Sequence, residues 1–88
     1  DGLSTMAMQQ ITMKDGIVQQ DNFDTYPVMR IAATPEVNVH FIQSDNRSTG
    51  LGEPALPPLA PAVTNAIFAA TGTRVRSMPL SEQGFKLV

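Results

Sequence analysis

The sequence predicts a small α+β fold, a β-hairpin plus a further strand packed on one long C-terminal helix. Three observations carry that reading. Side chains alternate through "TMAMQQITM" and the pattern resumes after "KDG". "EVNVHFIQS" alternates again beyond Pro35. "PPLAPAVTNAIFAATG" repeats its apolar residues at helical spacing.

In the first run Met6, Met8, Gln10 and Thr12 share one side, and Ala7, Gln9, Ile11 and Met13 the other, so an extended segment is expected there. Lys14-Asp15-Gly16 interrupts it before Ile17-Val18. A glycine between two β-compatible runs supplies the positive φ of a tight reversal, which predicts a hairpin. "DNFDTYPVMR" reads as a connection, because Pro27 holds Tyr26 extended and lacks a donor. In the strand expected after Pro35, Val37, Val39 and Phe41 share one face, and Asn38, His40 and Ile42 the other.

A polar loop, Ser44 to Gly52, precedes the helix. Leu59, Val63, Ile67 and Ala70 form its apolar stripe, and Gly72 suits the left-handed position just past its end. Pro61 has no N–H and belongs among the first unbonded positions, which places the N-cap near Pro58. "RVRSMPL" reads as a short extended tail. The chain thus divides into a hairpin and strand region (1–43), a loop with Gly-Leu-Gly-Glu-Pro (44–56), a helix (57–72) and a tail (73–88).

Composition narrows the function. With 88 residues there is at most one small domain, and its beginning at Asp1 without an initiator methionine or signal pattern suggests a piece of a longer chain. A net charge of −2 and only six basic residues, Arg74 and Arg76 being the nearest to a cluster, argue against nucleic acid. The absence of cysteine excludes disulfides, an iron–sulfur cluster held by this chain and a thiolate zinc site. The apolar run from Leu59 to Ala70 is too short to span a bilayer.

The most informative stretch is "GLGEP". Gly50 and Gly52 permit backbone angles and close approaches that side chains block, and Pro54 holds Glu53 extended. Two readings of Glu53 follow from position alone. A carboxylate before a helix is commonly a capping or dipole partner worth about 0.3–1 kcal/mol. A carboxylate on a constrained turn is also well presented as a base.

The other candidates read as structural. His40, the sole histidine, lies on a strand face with no nucleophile elbow to serve. Asp15, Asp21, Asp24 and Asp45 fall in turns, where aspartate bonds its local backbone. Asp45-Asn46-Arg47-Ser48 reads as a solvated loop, and the methionines as core filler. No phosphate loop or dinucleotide fingerprint is present. No residue is assigned as a metal ligand.

"GLGEPALPPLAPAVTNAIFAATGTRVRSMPL", "KDGIVQQDNFDTYPVMR" and "TPEVNVHFIQS" together resemble the C-terminal end of the molybdopterin-binding large (beta) subunit of the molybdenum hydroxylases. These form the xanthine dehydrogenase and aldehyde oxidase superfamily, and the likeness is greatest to the isoquinoline 1-oxidoreductase type. The resemblance covers nearly the whole chain. It implies a fragment of a larger molybdopterin-binding domain, from an oxidoreductase that hydroxylates N-heterocycles or oxidises aldehydes with water as oxygen source. It gives Glu53 the role of general base beside the molybdenum, with Gly50, Gly52 and Pro54 forming the loop that positions it.

The implied cofactor is molybdopterin in its cytosine dinucleotide form, anchored by segments absent from these residues. The fragment alone is therefore expected to be inactive and to hold no cofactor. The implied partners are the remainder of the large subunit, a small [2Fe–2S] subunit, a cytochrome c and a small-molecule substrate. A periplasmic or membrane-associated location fits the same resemblance. The rival reading is a non-enzymatic module that self-associates or docks to a partner. In either case the isolated chain, whose helix is apolar or alanine-lined nearly all round, is expected to self-associate.

Overall fold

The computed structural model describes residues 1–86. Its elements are helix α1 (Gly2–Met8), strands β1 (Met13–Lys14) and β2 (Ile17–Val18), a 3-10 turn at Ile31–Ala33, helix α2 (Leu56–Thr71) and a 3-10 turn at Leu80–Gln83. The α+β class and the long helix agree with the sequence. The parts that pack together differ from the expectation.

The hairpin forms where Lys14-Asp15-Gly16 predicted it. Met13 pairs with Val18 and Lys14 with Ile17, antiparallel. Asp15 and Gly16 both take positive φ, 51° and 77°, as the twist-matched two-residue hairpin turn requires. Side chains extend the closure past the ladder. The Thr12 N–H donates to Gln20 Oε1 and Gln20 Nε2 returns a bond to Thr12 Oγ1 at 2.9 Å.

Residues 5–8, the start of the run expected to be extended, belong instead to helix α1. Leu3, Met6 and Ala7 stand three and four apart, so one helical face gathers them, and methionine and alanine are good helix formers. Tertiary contact decides the choice, because that face packs against α2 and the Leu80–Gln83 turn. Gly2 comes so close to the Leu56 and Leu59 side chains that an added Cβ would require them to move. Ser4 and Gln9 tie the following connection to α1. The Met29 N–H donates to Ser4 Oγ at 2.8 Å, and Gln9 Nε2 donates to the Pro27 carbonyl at 3.0 Å.

Residues 35–44, expected to form a further strand on the helix, have no regular secondary structure and pair in no sheet among the described residues. Nor does the hairpin pack on α2; α1 takes that place. A strand needs a neighbour for its backbone donors and acceptors, and the described residues supply none.

Helix α2 starts earlier than Pro61 suggested. Its N-cap is Ala55, not a residue near Pro58, and Pro61 lies inside it at the cost of the bond to the Pro57 carbonyl. Leu59, Val63 and Ile67 form the half-buried stripe, whereas Ala70 is exposed. Gly72 ends the helix in the left-handed conformation at φ 75°. The tail returns to the helix through Arg74, whose guanidinium lies 3.5 Å from the Phe68 ring centroid and donates to Asn65 Oδ1. Past the cis Met78–Pro79 bond, the tail ends in a 3-10 turn with Leu80 wholly buried.

The core is small: among the described residues Met6, Ala7, Pro79 and Leu80 are its buried apolar members, and Ser4 is buried as well. The Cα radius of gyration is 16.0 Å, against about 12 Å for a compact domain of this length. The accessible surface is 7583 Å², where a compact 9.5 kDa protein exposes roughly 5,000 Å². Much of the excess is apolar, including Ile31, Phe23 and Ile42, each more than nine-tenths exposed.

Leu80→Ala should lower the stability of the chain by about 2–5 kcal/mol, the cost of emptying a buried leucine site. Ile31→Ala, at a 93% exposed position, should change it by less than about 0.5 kcal/mol. Urea denaturation of both variants checks this, and equal midpoints would contradict the assignment of Leu80 to the core.

Candidate functional site

The residues singled out in Gly-Leu-Gly-Glu-Pro come together in space. Gly50, Gly52, Glu53 and Pro54 line one open cleft of about 520 Å³, together with Thr49 and Pro57. Sequence reasoning missed the last two as lining residues. The available signal was proximity alone, Thr49 lying beside the first glycine and Pro57 in the first turn of α2.

The turn that carries Glu53 is built by its own backbone. The Leu56 N–H donates to the Glu53 carbonyl at 2.9 Å, closing a four-residue turn with Pro54 and Ala55 at its centre. Proline favours the first central position, and Ala55, at φ −78° and ψ −14°, has angles suited to the second. The chain enters the helix directly from this turn, so Glu53 is anchored by main-chain geometry.

Its side chain bonds to none of the described residues. A helix exposes four unpaired N–H groups at its start, here those of Ala55 and the next three residues. Leu56 spends its donor on the Glu53 carbonyl, and Pro57 and Pro58 have none. A capping carboxylate would need the donors at these inner positions. No side-chain cap bond is formed at α2. The only carboxylate that accepts a side-chain hydrogen bond among the described residues is Glu36, from Asn38. The inner positions of the helix start therefore offer Glu53 no capping donor, while its place before the helix as a dipole partner is unaffected.

The two glycines serve different ends. Gly50 sits at φ 151°, where an L side chain is strained. Gly52 has no such φ, and a Cβ there would meet nothing within 4 Å. Its need for glycine does not arise from packing inside this chain. It leaves bare backbone facing the cleft beside Glu53.

Among the described residues no cluster of three or more His, Cys, Asp or Glu is placed to hold a metal ion, and no helix is long and apolar enough to cross a membrane. His40 and the Asp45–Ser48 segment are exposed and do not line the cleft.

Comparison with known proteins gives this geometry its context. No protein-family model and no solved structure matches the chain. Curated sequences do. The chain is 40% identical over 79 residues to a membrane-bound aldehyde dehydrogenase of Gluconacetobacter polyoxogenes whose name specifies pyrroloquinoline-quinone. It is 33% identical over 79 residues to the isoquinoline 1-oxidoreductase beta subunit of Brevundimonas diminuta; each of these two matches covers 90% of this chain and 10% of the relative. It is 32% identical over 76 residues to a xanthine dehydrogenase molybdenum-binding subunit of Escherichia coli, covering 81% of this chain and 10% of the relative. The chain is a relative of molybdenum hydroxylase large subunits. It spans about a tenth of the length of the curated relatives it matches.

Replacing Gly50 with alanine should disturb the whole turn, since the strained backbone costs roughly 1–3 kcal/mol. Amide shifts should move from Thr49 through Leu56. In Gly52→Ala the changes should stay beside the substitution. Equal disturbance in the two variants would refute the distinction.

Proposed function

We propose that this chain supplies the positioned carboxylate of a molybdenum-dependent oxidoreductase that hydroxylates N-heterocycles or oxidises aldehydes with water as the oxygen source. The observation that carries this reading is the similarity to relatives named for isoquinoline oxidation, aldehyde oxidation and molybdenum binding. The names differ in cofactor. The molybdenum assignment is preferred because the Gly-x-Gly-Glu-Pro loop is the feature on which the resemblance to molybdenum hydroxylases rests, and its glutamate is the free group here.

The residues present fit a bulky group lying against the loop. The cleft is open, Gly52 puts no side chain into it, and no donor of the helix start occupies the Glu53 carboxylate. None of these residues would ligate the metal. The molybdopterin group, in its cytosine dinucleotide form, would be held by other parts of the large subunit and would supply two-electron redox chemistry when bound.

Glu53 is the general base. Its carboxylate takes the proton from the water-derived oxygen as that oxygen attacks the electron-poor carbon of the substrate, whose C–H hydrogen would leave with its electron pair to the molybdopterin group. Such proton transfer is worth about 100- to 10,000-fold. The turn through Pro54 and the Leu56–Glu53 bond hold the carboxylate at the cleft without a competing partner, so no hydrogen bond must break before it accepts the proton. Gly50 and Gly52 shape the wall beside it. Electrons would leave through a small [2Fe–2S] subunit, and onward to a cytochrome c. The 88 residues by themselves would be inactive.

In the full-length subunit, Glu53→Gln should retain molybdenum and fold while turnover falls at least about a hundredfold. Metal analysis and steady-state kinetics on the same preparation check this. Near-normal turnover with full metal loading would remove Glu53 from the chemistry.

A further inference from the structure

We propose that residues 36–43 are an unfinished β-strand, completed by a strand from the remainder of the large subunit. The inference rests on reading this chain as part of such a subunit. Its observations are separate from the cleft.

The segment follows Pro35 and has no regular secondary structure, and all its residues are exposed. Its side chains nevertheless follow the two-residue period of a strand with one buried face. Val37, Val39 and Phe41 form that face and are each at least 67% exposed, and Ile42 on the opposite face is 93% exposed. The hairpin and α1 leave this segment unpaired, because β1 pairs only with β2 among the described residues. Unpaired backbone beside an apolar face is the arrangement that strand addition satisfies, with main-chain bonds giving affinity and alternate side chains giving register.

The occupant follows from scale. The chain exposes roughly 2,500 Å² more than a compact protein of its mass. Covered by a partner surface of equal size, that excess corresponds to about 5,000 Å² in total, the upper end of the range of permanent interfaces. The relatives are about ten times longer than the matched segment. A strand from the same large subunit covers the Val37, Val39 and Phe41 face and pairs the backbone in one step. A second copy of this chain would satisfy the backbone only by edge-to-edge association, which natural sheets avoid.

Hydrogen exchange on the full-length subunit tests this without reference to activity. At least every second amide from Val37 to Gln43 should exchange a hundredfold or more slower than in the same subunit unfolded in urea, and dilution should not change the rates. Exchange as fast as in the unfolded subunit would overturn the proposal. Protection that disappears on dilution would also overturn it, in favour of a second copy. If these amides are protected but Glu53→Gln keeps full turnover, the strand stands and the catalytic reading falls. Unprotected amides in a molybdenum-loaded subunit inactivated by Glu53→Gln give the reverse.

Discussion

The start of α2 has almost no donors to offer, and the site depends on that. Two prolines fill its first turn, and the one leucine N–H beside them bonds to the Glu53 main chain. Ordinarily a carboxylate at this place would be absorbed into capping. Here the backbone of Glu53 is fixed while its side chain is unpaired among the described residues, which is the state a base needs before its proton arrives. Polar groups in an active site commonly have supports of their own. Glu53 has a support for its main chain only.

The rest of the molecule shows how little of the fold this chain holds by itself. Its buried apolar residues come from α1 and the tail, with the stripe of α2 half-covered between them. Surface this apolar is costly in water, about 25 cal/mol for each Å² left uncovered. The hairpin and the segment after Pro35 leave apolar side chains exposed, and the stripe of the helix is only half covered. Their shapes are set by local rules such as turn glycines, prolines and caps. Their packing would be set by what covers them.

That division also separates what was legible in the sequence from what was not. The hairpin turn could be read because Asp15-Gly16 is local chemistry, and the helix end because Gly72 is. The helix start was misjudged. Pro61 sits inside α2, and the rule that excludes proline from interiors yielded to the Leu56–Glu53 turn, which begins the helix earlier. Residues 5–8 were misread because a short Met/Ala stretch matches periods of both two and 3.6, and contact with the Leu80–Gln83 turn and α2 chose between them. The strand after Pro35 had the right pattern but no partner among the described residues. At the site, Glu53 and its loop were identified together, whereas the loss of capping donors at Pro57 and Pro58 emerged only once the helix start was located.

The account stands or falls on what faces the Glu53 carboxylate in the intact protein. Anomalous scattering at the molybdenum edge from crystals of the full-length subunit measures this directly. The account predicts one strong peak in the cleft bounded by Thr49, Gly52 and Pro57, on the side of the free carboxylate. A protein that crystallises active with no such peak, or with its metal remote from this cleft, would contradict it.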